Sequence, residues 1–337
     1  MCAAMTLVLI LGGTAPAGAR MVGPAKACGN PNADATGPDI ATQLGGCSRR
    51  GHRSVIVFDR NVPGTVNHAI WSMKRNGSDK TRLTNDETVD DRNPTCSRFA
   101  NRIAFERGGF NSQGNFESDI WVMHSNGSGQ VNLTPSTPGN DGDPAWTPDG
   151  SKIAFASARA NGTAEIYVMN ANGTNPTRLT FNVGIVDSSP TWSPDGTKIA
   201  FSSGPFEGPG DFDIWVMNAD GTGLTRLTTD AADDWYPTWS PDGTRIAWSR
   251  IGDAPSGQAP RSRLWVMAPD GSAQALFDPG LSFFKQLAAS WCPDARHLAI
   301  VGGTEFATGI WRIGPSGSIP TQLTGQTNRD FFPDCGG

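Results

Sequence analysis

A unit of about 47 residues recurs along this chain, and a repeat of that length restricts the fold more than any other feature of the sequence. The clearest copy runs Pro190-Thr191-Trp192-Ser193-Pro194-Asp195-Gly196-Thr197-Lys198-Ile199-Ala200-Phe201, then Asp213-Ile214-Trp215-Val216-Met217 and Arg226-Leu227-Thr228. Ser193-Pro194-Asp195-Gly196 has type I turn chemistry: proline presets φ, aspartate bonds locally and glycine ends the turn. Asn218-Ala219-Asp220-Gly221 is a second turn of the same kind. The runs between the turns are short and rich in Ile, Phe, Trp and Val, which predicts strands. The tryptophan slot is filled by Trp146, Trp192, Trp239 and Trp291, with Cys96 and Cys335 in register, at spacings of 50, 46, 47, 52 and 44. Four short strands per unit at that period predict the blades of a β-propeller.

The second strand recurs as Val55-Ile56-Val57-Phe58, Ile103-Ala104-Phe105, Ile153-Ala154-Phe155, Ile199-Ala200-Phe201, Ile246-Ala247-Trp248 and Leu298-Ala299-Ile300. The third recurs around Trp71, Trp121, Tyr167, Trp215, Trp265 and Trp311. The expected fold is therefore all-β: a six-bladed propeller of four-stranded antiparallel blades over residues 51–337. Pro94, Pro144, Pro190, Pro237 and Pro333 fall inside the first strand of their units. Proline cannot donate to a ladder, so that strand belongs at an edge, lining the central channel. The first unit lacks this strand, and the chain ends with it, Asp330-Phe331-Phe332-Pro333-Asp334-Cys335. The C-terminal strand is expected to close the first blade.

These motifs, Trp-Ser-Pro-Asp-Gly followed by Ile-Trp-Val-Met-Asn and Arg-Leu-Thr, resemble the PD40 (WD40-like) repeats of TolB-type six-bladed propellers over roughly residues 50–337. The resemblance implies a propeller and an exported binding protein. TolB proteins also carry an N-terminal α/β domain of over a hundred residues. Here about thirty residues lie between the leader and the first strand, so the Tol transport role is not carried over.

Residues 1–19 read as a signal peptide: Leu7-Val8-Leu9-Ile10-Leu11 is a short apolar core and Ala17-Gly18-Ala19 a small-residue cleavage site. The run is too short to span a bilayer. Residues 20–50, rich in Gly, Pro, Ala and Asn, read as a linker. The expected location is periplasmic or extracellular. A net charge of −5 gives no basic surface for nucleic acid. Export permits disulfides, and Cys47–Cys335, Cys28–Cys47 and Cys96–Cys335 are competing pairs, with Cys292 also present.

His52, His68, His124 and His297 show no metal-ligand spacing and read as surface or turn residues. No Gly-x-Ser-x-Gly elbow is present. The polar constellation with a geometric basis is an aspartate set. Asp91, Asp141, Asp187, Asp234 and Asp330 each precede the blade proline by three residues, and Gln286 takes the sixth place. They are expected to ring one mouth of the channel. Each could tether adjacent backbone, or the ring could take a basic partner segment or Ca²⁺. No other cofactor is expected. Trp235, Tyr236 and Phe331 lie between the aspartate and the proline and would add apolar contacts. The insertions at Phe206–Gly210 and Gly252–Pro260 are expected on the opposite face. The functional expectation is a monomeric, non-enzymatic scaffold for a protein or peptide of the envelope or the exterior. The alternative is an extracellular carbohydrate-active or hydrolytic enzyme using channel-facing acids.

Overall fold

The structure, a computed structural model, describes residues 55–335 apart from 98–100, 111–115, 136–138, 161, 207–210, 253–261, 278–284, 295, 304–307, 315–319 and 326–328. Its strands form six blades of four, and no helix occurs among the described residues. Blade 1 consists of Asp330–Cys335, Val55–Asn61, His68–Lys74 and Thr81–Arg82, in that order from the axis outward. The inner strands of blades 2 to 6 are Asp90–Cys96, Asp141–Trp146, Ile185–Trp192, Asp233–Trp239 and Lys285–Trp291. The chain's last strand pairs antiparallel with its first, with Arg60 opposite Asp330 and Ile56 opposite Cys335. Residues 1–54, where the signal peptide and linker are expected, lie outside the described residues.

Local chemistry builds each hairpin as the motif predicts. Gly196 N–H donates to Ser193 O at 2.9 Å, and Asp195 Oδ1 accepts from Ser193 Oγ and the Thr197 amide. The same set recurs at Ser240, Asp242 and Thr244. In the turn between strands three and four, Gly173 has φ of +85°, and a Cβ there would stand 2.7 Å from the Leu133 carbonyl of the previous blade. Gly184 has φ of +72° with open space around it. Gly173→Ala is therefore expected to lower stability by about 1–3 kcal/mol, and Gly184→Ala by about 1 kcal/mol or less. Thermal melts of the two variants check the order.

The core is six interblade layers. Trp192, Ile199, Phe201 and Met217 of blade 4 pack on Ala145, Ala154, Ile166 and Val168 of blade 3. Trp146, Trp192, Trp239 and Trp291 are all buried, so the repeat tryptophans are interblade core.

Each inner strand carries a bulge that sequence reasoning did not foresee. Register shifts at Asn93, Asp143, Ser189, Tyr236 and Ala288, and in the last strand at Phe332. All six residues have φ between 45° and 58°. Five of them precede the blade proline, whose missing donor the bulge accommodates.

The strand register corrects the placement of the insertions. Asp187 lies opposite Ser203 and Ile185 opposite Pro205, and the Phe206 amide donates to Gly184 O. Asp233 lies opposite Ile251. Both insertions therefore leave from the same face as the aspartates, because the inner strand runs away from that face and the second strand returns to it. Residues 207–210 and 253–261 themselves lie outside the described residues.

Candidate functional site

The aspartate set sits at one end of the inner strands, and all five residues have no exposed surface. Four are held by arginines from the second strand or the loop after it. Arg60 Nε and Nη2 donate to Asp330 at 2.5 and 2.9 Å, and Arg107 to Asp91 at 2.6 and 2.8 Å. Arg250 donates to Asp234 at 2.8 and 2.9 Å, and Arg159 Nη2 to Asp141 at 2.8 Å. These are charge-assisted and, in three blades, bidentate pairs. Each guanidinium also lies over two rings of its own blade. Arg60 stands 5.3 and 5.0 Å from Phe58 and Trp71, and Arg107 5.2 and 4.6 Å from Phe105 and Trp121. Arg159 covers Phe155 and Tyr167, and Arg250 covers Trp248 and Trp265. The repeated unit is thus a carboxylate, a guanidinium and a ring pair. The arginines could be found in the sequence only as a basic residue two places after the second strand's aromatic, or four places after it in blade 3.

Blade 4 differs. Ser203 stands where three other blades place arginine. Among the described residues, Asp187 Oδ2 accepts only the Asn182 side-chain amide, at 3.3 Å, and Oδ1 has no hydrogen-bond partner. Burial pushes its carboxyl up to about 6, with the Ser203 and Thr180 hydroxyls nearby restraining the shift. Those hydroxyls lie outside hydrogen-bonding geometry with Oδ1.

The bulge residues meet around the axis. Rings of Tyr236 and Phe332, from blades 5 and 1, come within 6.1 Å across the intervening blade 6. On the other side Asn93 Nδ2 donates to Asp143 Oδ1 at 3.1 Å and to Glu106 Oε2 at 2.9 Å. Asp143 Oδ2 also accepts from the Ser189 amide at 3.0 Å. One side of the axis is therefore polar, Asn93, Asp143 and Ser189, and the other apolar, Tyr236, Ala288 and Phe332, and all six are buried. Trp235 stacks on Phe212 with centroids 3.8 Å apart. Phe331 meets His68 edge-on at 5.5 Å.

Two acids that the motif analysis missed belong to the polar side. Asp59 and Glu106 each follow the second-strand aromatic, where other blades carry Ala156, Ser202, Ser249 or Val301. An acid in that otherwise apolar or small slot was the available signal. Asp59 is 1% exposed, neither oxygen is hydrogen-bonded, and burial pushes its carboxyl well above the usual range. Burial, reinforced by Asp143, pushes Glu106 up to about 8. Arg92, on blade 2, is the nearby cation that restrains both shifts.

His68 departs from the expectation of a surface or turn position. It is buried in the third strand of blade 1, with its amide and Nδ1 on Asp90 Oδ1 at 2.8 and 2.9 Å. The acid at the start of the neighbouring inner strand makes that burial tolerable. Among the described residues no group of His, Cys, Asp or Glu has metal-ligating geometry. No helix there is long and apolar enough to cross a membrane.

A family model described as TolB beta propeller domain, PD40, matches residues 112–249. Among solved structures, TolB from Acinetobacter baumannii superposes with a TM-score of 0.66 at 19% identity, covering 83% of this chain and 66% of that one. Hydrazine synthase from Kuenenia stuttgartiensis gives 0.63 at 16% identity, over 84% of this chain and 47% of that one. A putative TolB from Agrobacterium tumefaciens gives 0.51 at 22% identity, over 69% and 88%. Among curated proteins no sequence match is found. The chain thus spans just under two thirds of the Acinetobacter TolB, and at these identities the likeness is one of fold. Residues 112–249 match the PD40 model and the blades superpose on TolB, so the chain is a six-bladed β-propeller similar in fold to TolB.

Proposed function

We propose that this protein is an exported, non-enzymatic scaffold that binds a protein or peptide segment over the channel mouth at the aspartate face. One observation carries the reading: exposed large apolar side chains gather on that face. Val66, Phe110, Phe181 and Val183 stand on its loops or strand ends, with 71%, 66%, 69% and 90% of their surface exposed. They stand around the end of the axis at which the inner strands begin, and exposed apolar anchors suit recognition of a polypeptide. Disulfides through Cys96 or Cys292 would suit an oxidising compartment. The candidate pairs through Cys28 and Cys47 lie outside the described residues, as does the Cys335 side chain. The competing enzymatic reading draws on Glu106 and Asp143, bridged by the Asn93 amide. Glu106 and Asp143 are both buried and already joined through the Asn93 side-chain amide, an arrangement that suits a structural pair.

A photo-crosslinking residue placed at Val183 is expected to trap a partner from envelope extract, whereas one at Val131, on an outer strand, is not. Adducts from Val131 alone, or turnover of glycan or peptide substrates by the purified chain, would count against the scaffold.

A further inference from the structure

Four blades of this propeller each contain a filled copy of one small binding unit, and the fifth copy, in blade 4, has every part but the cation. Asp187 is in place with no exposed surface and one unpartnered oxygen. The ring pair is in place too: Phe201 lies opposite Trp215, as Phe58 lies opposite Trp71, Phe105 opposite Trp121 and Trp248 opposite Trp265. No arginine of the described chain covers those two rings. Ser203 occupies the register position of the guanidinium donor, and Pro205 the position from which Arg159 reaches back in blade 3.

We propose that blade 4 is a binding site for an external guanidinium group, seated on Asp187 between Ser203 and the Phe201 and Trp215 rings. Blade 3 shows that the cation need not come from the strand position itself. There Ser157 holds the register place, and Arg159 arrives from the loop, donating to both Ser157 Oγ and Asp141. A guanidinium arriving from another molecule makes the same approach from the same face.

The surrounding charges favour a cation. Asp213 lies opposite Ser203 on the third strand, and Glu165 approaches from blade 3. Each already has a partner of its own, Arg226 for Asp213 and Arg178 for Glu165, so Asp187 is the carboxylate left to neutralise. Asp187 is fully buried and accepts a hydrogen bond from the Asn182 amide at 3.3 Å, on a loop whose neighbours Phe181 and Val183 are mostly exposed. A bidentate guanidinium–carboxylate pair is the stronger contact, and the incoming group would displace the Asn182 amide. Planarity selects arginine over lysine, since the ring pair and the two carboxylate oxygens together accept a flat fork.

The site stands apart from the channel reading, because its probe is a small molecule. N-acetyl-arginine amide titrated into the full chain is expected to give saturable shifts in Trp215 signals, with Kd on the order of millimolar. The citrulline analogue, neutral and isosteric, is expected to give none. Asp187→Asn is expected to weaken arginine-amide binding at least tenfold, about one charge-assisted pair. Binding to the unaltered chain is expected to fall as pH drops below about 6, where Asp187 takes up its proton. Ser203→Arg would fill the site from within, abolishing binding and raising Tm by about 2–4 °C. Equal binding of arginine and citrulline amides, or undiminished binding by Asp187→Asn, would overturn the proposal. So would the absence of any saturable shift. If Ser203→Arg fails to fold, those comparisons still decide. Binding here without any adduct at Val183 would leave the site standing and remove the scaffold reading.

Discussion

Glu106→Gln is expected to be more stable than the parent at pH 8 and above, and indistinguishable from it near pH 4. In the folded protein the Glu106 carboxyl is pushed up to about 8, from an ordinary 4.5, because it is buried and faces Asp143. A group whose folded-state value is raised binds its proton more tightly folded than unfolded. Its contribution is therefore complete below about pH 4.5, falls as pH climbs, and is lost once pH passes about 8. Each unit of difference corresponds to about 1.4 kcal/mol, so the loss has a ceiling of roughly 5 kcal/mol. The substituted glutamine carries no charge and keeps a carbonyl oxygen for the Asn93 amide, so it escapes that loss. Melting temperatures from pH 4 to 9 test this. Asp59 and Asp187 are also raised, so the variant should flatten the curve without making it level. Two parallel curves would mean that Glu106 is not held protonated.

The second large effect compares two aspartates at the same place in neighbouring blades. Asp234→Asn is expected to cost about 3–5 kcal/mol, because it leaves a buried guanidinium with half its charge compensation. Arg250 is 7% exposed, and its remaining carboxylate, Asp230, is a surface residue 2.6 Å away. Asp187→Asn is expected to do the opposite at pH 7.5 and stabilise by up to roughly 3 kcal/mol. Asp187 has no arginine, and its value of about 6 means that ionisation at neutral pH opposes folding. Opposite shifts in Tm for the two variants are the expected result. Equal drops would show that both residues act only as backbone tethers.

The repeat, its strands and its closure can be read from residues because they depend on near neighbours. Ser193, Asp195 and Gly196 make a turn wherever they stand, and the tryptophans recur at one slot. Even the closing strand is visible, since the last strand repeats a motif the first unit lacks. The aspartates are visible as a row for the same reason. Their state is not. Asp91 meets Arg107 sixteen positions on, and Asp330 meets Arg60 from the other end of the chain, through the pairing of strands. The insertions fall on the wrong face when a strand's direction of travel is not followed through its hairpin.

Sequence by itself determined the number of blades, the turn chemistry and the strip of backbone that locks the ring. Those follow from patterns a few residues long, repeated often enough to be unambiguous. Only the tertiary structure decided which acids are neutralised, which stay protonated and which one waits on a partner. Burial and charge are set by side chains that converge from different blades, and no short stretch of chain contains them together.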